Sequence, residues 1–505
     1  MLEYDVLIIG SGLAAFSAAA RLLEKGVKRI GVYGTAYGGT PFIAGINFVL
    51  PDNPYGDTPE QYEADMLQAG FNIGNCELVH EMTTRTMEGY EFLCRMGVEF
   101  AKNEDGTIKL RHLSGHTFPR SLCCTEELIG LRMLRALERV LEGRADIHKG
   151  YVCLQLITNE DGICGAEFLR EDGKTESIYA PTVIAAWGGV GNLFGCSTYP
   201  SDIEGNTLAI AHRAGVKLVD IEFLEYEPMV LQAPQGAVGE PCPTAMLGEG
   251  AYLRNAAGER FLIKIRPEGE AGAPKTLLNR QIWKQVANGN GSPQGGVYAD
   301  LRHIPTKTLQ AYPWFYKRLV DNGVDPNKEL LAVGPMAHSF SGGIYVDAAY
   351  ESSVKGLYAI GEACGGVHGA CRCAGNAASQ AVMSALICAD AIVGQDRDLN
   401  GCKEMKAEKY YSNKQTYAAY VPVAKKIAAT ALGVYRTEAT LANAEERLDE
   451  MLSESELARD TKAQQIVESI RLMVGAALAR KESRGTHMRL DYPETRTEFE
   501  KEIFF

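Results

Sequence analysis

The stretch "DVLIIGSGLAA", Asp5 to Ala15, constrains this chain more than any other. Apolar residues with the pattern of a short buried strand, Tyr4 to Ile9, run into a Gly-x-Gly turn and then into a helical pattern reaching Gly26. Gly10 and Gly12 let the backbone turn sharply and approach a pyrophosphate, while Ala15 is small enough for close packing of helix on strand. Ser11, Leu13 and Ala14 complete the turn, whose helix start offers N–H groups and the positive end of a dipole. A dinucleotide cofactor is implied. In "RIGVYGTAYGG" the next strand ends in Tyr33 and Gly34, where an adenosine-ribose carboxylate would often stand, and this disfavours NAD relative to FAD.

Two later segments, "TVIAAWGGVG" at 182–191 and "GLYAIGEACGG" at 356–366, are apolar strands ending in glycine turns, the pattern of strands returning to one sheet. Between about 228 and 330 that pattern is broken by "RPEGEAGAPK" and "NGNGSPQGG", the mark of an inserted unit. Beyond 396 the spacing turns helical, as in "TLANAEERLDEMLSESELA". The fold class expected is α/β. A Rossmann-like FAD-binding domain in two parts, 1–227 and 331–395, carries an inserted α+β capping domain at 228–330 and a C-terminal helical domain at 396–505.

A chain of 505 residues, 46% hydrophobic and 23% charged, has ordinary globular composition for two or three domains. Its formal net charge of -13 argues against nucleic acid or an anionic membrane as the main partner, because both require a basic face. The first residues lack the basic start of a secretion signal, and no membrane span is expected. None of the 13 cysteines stands in a C-x-x-C pattern, so no clustered zinc, ferredoxin module or c-type haem is indicated. Reduced thiols in a cytoplasmic protein, with no metal site, are expected.

The segment "VHGACRCAGN" sets Arg372 between Cys371 and Cys373 and admits three readings: a metal site, a redox pair or an anion grip. Cysteines two apart on an extended segment point to opposite faces, which makes a disulfide or shared ligation awkward and favours passive packing. A guanidinium takes a carboxylate bidentately, and a nearby imidazole adds a further bond.

Five separated segments resemble one family, the flavoprotein subunits of succinate dehydrogenase and fumarate reductase together with L-aspartate oxidase. They are "DVLIIGSGLAA", "IAAWGGVGNLF" with "EGNTLAIAHRAGVKLVDIEF", "GERFL", "AHSFSGGIYVDAAYESSVKGLYAIGEACGGVHGACRCAGNAAS" and "ARKESRGTHMRLDYPE". The resemblance implies FAD that moves a hydride through its N5 to or from a carbon-carbon bond beside a carboxylate. It implies that Arg372 and His338 grip the substrate carboxylate, and that Glu362, Ala377, Ala378, Thr40 and Asn206 contact FAD, Asn206 standing where an aspartate is usual. In the membrane-bound members a histidine binds FAD covalently. Here the matching place is Gly39, so non-covalent FAD is expected, with the lower flavin potential that favours reduction of a double bond.

The sequence also departs from the family. Glu227 occupies the histidine position of a "HPTG" motif, Leu247 replaces an arginine, and Thr244 aligns with the family threonine only under one placement of gaps. The proton-donating arginine of the family aligns with Lys275, which burial can lower in pKa so that it serves as general acid; Tyr226, Glu227 or water are the alternatives. The expected activity is therefore reduction of the C=C bond of an α,β-unsaturated carboxylate other than fumarate. Glu227 and Thr244 would join His338 and Arg372 around the substrate. Oxidation of a saturated carboxylate or amino acid, or electron transfer without catalysis, are the competing readings. Electrons must come from outside the chain, through free reduced flavin, a flavin reductase or a ferredoxin-like subunit. The charges of the closing segment, Glu482 to Glu494, read as structural ion pairs.

Overall fold

In the computed structural model, which describes residues 3–125, 128–195, 197–395, 399, 402, 405 and 407–505, the opening pattern folds as its spacing predicts. Val6–Ile9 forms strand β1, buried throughout, and Leu13–Glu24 forms helix α1. Ile30–Gly34 (β2), Asp146–Lys149 (β3), Val183–Ala185 (β4) and Leu357–Ala359 (β5) join β1 in one parallel sheet of order β5-β4-β1-β2-β3. The two late apolar segments thus return to this sheet, as expected, and lie side by side in it. Gly10 has φ +123°, and a Cβ on it would lie 2.2 Å from the Ala186 carbonyl oxygen, so only glycine fits where β1 turns away from β4. Asn376–Ile392 forms helix α2, which packs against α1.

The inserted unit is built on a four-stranded antiparallel sheet in which Leu224–Leu231, Leu331–Phe340, Val297–Asp300 and Tyr252–Arg254 lie side by side in that order. It has its own apolar core around Met229, Leu253, Leu278 and Val333. The sheet draws in residues on both sides of 228–330, and Glu225 pairs with Ser339 in its register while Glu227 pairs with Met336. The helix Lys275–Ala287 lies against these two adjacent strands.

Helices Lys414–Ala431 (α3), Glu438–Ser453 (α4) and Thr461–Ala479 (α5) form the C-terminal region. Their starts are capped by Asn413, Thr437 and Asp460, whose side chains accept from backbone N–H groups that would otherwise lack partners. The closing segment is an ion-paired knot: fully buried Arg480 meets Asp220, Glu222 and Glu482, and Arg484 reaches Glu482 at 2.7 Å. Among the described residues no helix is long and apolar enough to cross a membrane.

One expectation is overturned. The thiols are not all reduced, because Cys164 on the strand Gly162–Leu169 is disulfide-bonded to Cys402, 238 residues away. No spacing motif announces the pair, since the fold alone brings the two buried positions to a Cα separation of 5.2 Å. Cys371 and Cys373 are free, and Cys373 packs with its thiol against the carbonyls of Gly115 and Asp65.

Candidate functional site

A cavity of about 460 Å³ opens at the C-terminal ends of the parallel strands, where a doubly wound sheet binds its ligand. Gly10, Ser11, Gly12, Leu13, Ala14, Thr40, Asn206, Glu362, Ala377 and Ala378 all line it, and so do His338 and Arg372. Ala15 does not reach the cavity; it is fully buried, as close packing of α1 requires.

The lining fits FAD. Helix α1 follows Gly12 and helix α2 follows Gly375, neither with a side-chain cap from that residue; the Leu13 and Asn376 N–H groups donate to Thr40 Oγ1 and the Cys373 carbonyl, and the next N–H groups of each first turn face an acceptor from the ligand. Gly375 has φ +83°, and a Cβ there would crowd the Asn47 amide. Thr40 holds the turn from the other side, its Oγ1 accepting from the Leu13 N–H at 2.9 Å. Glu362 accepts from the Phe340 N–H at 3.0 Å and from the Tyr199 hydroxyl, and burial raises its pKa. Asn206 donates to Gln465 at 2.9 Å, so its amide is tied to helix α5 as well as facing the cavity. Gly38 and Gly39 line the cavity without a side chain able to bond to a flavin.

At the end of the cavity a charged cluster begins. Arg372, its side chain 6% exposed, donates to Ser339 Oγ at 3.1 Å, to the Cys373 carbonyl at 3.3 Å and to Glu225 Oε1 at 3.3 Å. The same Glu225 oxygen accepts from Lys275 Nζ at 3.2 Å, and Lys275 lies 2.6 Å from Glu227 Oε2. His338 stands beside them, with Nε2 3.9 Å from Glu227 and Nδ1 2.8 Å from Thr198 Oγ1. Burial would raise the Glu225 carboxyl, but Arg372, Lys275 and His338 outweigh it and bring it to about 2. Burial and the Lys275 charge push His338 down to about 4, so its imidazole is neutral at physiological pH.

The expectation of a lysine lowered in pKa is corrected here. Burial alone would lower Lys275, but Glu227 and then Glu225 more than reverse this, and its pKa is raised. Lys275 is therefore a charged link between two acids. Glu225, Glu227 and His338 offer three possible ligand atoms within 4.8 Å, and Lys275 and Arg372 already pair with the two carboxylates among them.

The structure thus brings Glu227, Lys275, His338 and Arg372 together. Thr244 stands at the start of the short helix Ala245–Gly248, two residues after Cys242, whose thiol is raised by burial and by Glu227. Glu225 is the residue that sequence reasoning passed over. The signal was present in "LEYEP", because residues 225 and 227 share a face of an extended strand.

Comparison with known proteins finds flavoprotein relatives over nearly the whole chain. A family model described as FAD binding domain matches residues 5–378, and one described as fumarate reductase flavoprotein C-term matches 424–502. One chain of the fumarate reductase (CoM/CoB) of Methanothermobacter marburgensis is 28% identical, covering 99% of this chain and 96% of its own. An L-aspartate oxidase of Pyrococcus horikoshii is 31% identical, covering 100% and 99%. A solved structure of Mycobacterium smegmatis Sdh1 in complex with UQ1 superposes with a TM-score of 0.85 at 26% identity, over 99% of this chain and 90% of that one.

Proposed function

Because this chain belongs to the FAD-binding flavoprotein family of fumarate reductase and succinate dehydrogenase, we propose that it reduces the C=C bond of an α,β-unsaturated carboxylate other than fumarate. The observation that carries this reading is the meeting, at the end of the flavin cavity, of the Arg372–His338 pair with an acidic wall of Glu225 and Glu227. When bound, FAD supplies the hydride. Arg372 and neutral His338 hold the substrate carboxylate and stabilise the charge that builds on it. Lys275, kept as a charged donor, gives the proton to the alpha carbon, and Glu227 is placed to return one at 2.6 Å. The FAD contacts proposed are those of the cavity lining, with Gly10, Ser11, Gly12, Leu13 and Ala14 at the pyrophosphate and Thr40, Asn206, Glu362, Ala377 and Ala378 around the rest. Electrons come from an external donor.

With Gly39 where a linking histidine would stand, the cofactor is expected to be dissociable. Acid precipitation of the holoprotein should leave the flavin in the supernatant; a coloured pellet would contradict this.

A second carboxylate set a few ångströms from Glu227 would cost about 1–4 kcal/mol, or roughly 10-fold to 1000-fold in specificity. The test is anaerobic reoxidation of the reduced holoenzyme by enoates varied at the end away from the carboxylate. Monocarboxylates with neutral or cationic far ends should react fastest and fumarate slowest, and Glu227→Gln should improve fumarate relative to them by about tenfold. Fumarate as the best oxidant of the wild type would overturn the reading.

A second reading is oxidation of an amino acid, favoured by the acid pair, which is able to hold an ammonium. The relative named L-aspartate oxidase is consistent with it. Oxygen consumption with amino acids, in the absence of any enoate turnover, would select it.

A further inference from the structure

We propose that the pocket is built for a carboxylate that brings its own positive charge, and that a carboxylate lacking one enters only as the Glu225–Glu227 pair takes up a proton. This rests on the reading of Arg372 and His338 as the carboxylate grip, and it specifies the ligand that the grip prefers.

The argument is one of charge balance in a buried space. Lys275 and Arg372 supply two positive charges, Glu225 and Glu227 two negative ones, and His338 is neutral, so these five groups are balanced before a ligand arrives, and the Glu362 carboxyl, raised by burial, adds no positive charge to Arg372's side. An anion gripped by Arg372 takes up donors that Glu225 now uses, because Glu225 Oε1 is shared between Arg372 and Lys275. That leaves a carboxylate, 4% exposed in its side chain, with less compensation than it had, at a site where water cannot replace it.

A second observation points the same way. The other oxygen of this carboxylate, Oε2, is buried and makes no hydrogen bond among the described residues. An ammonium on the ligand is a donor that would satisfy it, and a proton on Glu225 would remove the charge otherwise left there.

The groups around the pair leave few other sources of charge. Lys275 faces it from the helix Lys275–Ala287, and His338 from the neighbouring strand. Arg372 and Cys371 face it from the segment before α2, with His368 further back and Tyr199 beside Glu362. Cys242 lies near Glu227. Burial raises Tyr199, Cys242 and Cys371 and lowers His368 to about 3, so all four stay neutral near pH 7 and none offsets an added negative charge.

The proposal is tested by calorimetric titration of the oxidised, FAD-loaded full chain with crotonate, trans-4-aminocrotonate and fumarate. Each is titrated near pH 7 in two buffers of different ionisation enthalpy. Crotonate is expected to take up about one proton, and its affinity should fall about tenfold per pH unit between about pH 6 and pH 8. Aminocrotonate, a cation at its far end, should take up none and bind at least about tenfold more tightly at the upper end of that range, with fumarate weakest. In the variant carrying both Glu225→Gln and Glu227→Gln the proton uptake should vanish and the preference for aminocrotonate with it.

Crotonate binding without proton uptake, or equal affinity for crotonate and aminocrotonate at every pH, would overturn the proposal. If crotonate fails to bind while aminocrotonate binds, the proposal holds in its stricter form. If either enoate reoxidises the reduced flavin but no proton is exchanged, the proposal falls and the proposed function stands. If none of the three binds or reoxidises, the proposed function falls with it.

Discussion

Arg372→Ala is expected to lower kcat/KM for the preferred enoate by about 10²-fold to 10⁴-fold while FAD remains bound. Removing one partner of a buried, hydrogen-bonded charge pair costs roughly 2–5 kcal/mol, and here the loss falls on both the bound carboxylate and Glu225, which keeps only Lys275. The effect should appear in kcat as well as KM, because charge on the carboxylate builds as the hydride arrives. Arg372→Lys separates grip from fold. It restores the charge but not the planar fork, which at present serves Ser339, the Cys373 carbonyl and Glu225 at once. Its activity should lie between those of wild type and Arg372→Ala, with the flavin absorbance of the wild type in both variants. Wild-type kinetics in Arg372→Ala would remove the arginine from the site.

Acid should destabilise this protein well above the range in which carboxylates titrate. His116, His368 and His487 are buried, with exposures of 8%, 4% and 0%. Burial is the main cause that lowers each: His116 to about 4, His368 to about 3, and His487 well below the usual range, where Arg436 adds its charge. A histidine whose folded pKa lies below its unfolded value binds fewer protons when folded, so its contribution is intact above about pH 6.5 and is lost as pH falls beneath that. Between pH 7 and pH 5 each should cost about 2 kcal/mol, roughly 6 in all. Asp220, raised chiefly by burial and then by Glu222, acts in the opposite sense and reduces the net loss. Chemical denaturation of the holoprotein at the two pH values measures it directly. Equal stability at both would show that these histidines are not held neutral.

The parallel sheet, the glycine turn and the position of Arg372 were legible because each is written in neighbouring residues. Gly10 is required by the carbonyl of Ala186, and the sequence signals this through the pattern around the turn itself. The return of 182–191 and 356–366 to one sheet followed from two apolar runs of like kind, and in the structure the strands Val183–Ala185 and Leu357–Ala359 pair with each other in parallel. The substrate wall was only half legible. Glu227 stood out against a motif, but Glu225 beside it did not, and Lys275 was assigned a lowered pKa because burial was foreseen and its two acid partners were not.

What the amino-acid order determined by itself is the set of local backbone geometries: strand, tight turn, helix start, and the segment that sets an arginine beside them. These depend on residues a few positions apart, whose sterics and hydrogen bonding act wherever the chain goes. The tertiary structure decided the charge balance, because Lys275 and Glu225 are 50 residues apart and Arg372 and Glu225 are 147 apart. It also joined Cys164 to Cys402. A charge takes its protonation state, and a thiol its partner, from whatever lies within a few ångströms, and only the folded chain places those neighbours there.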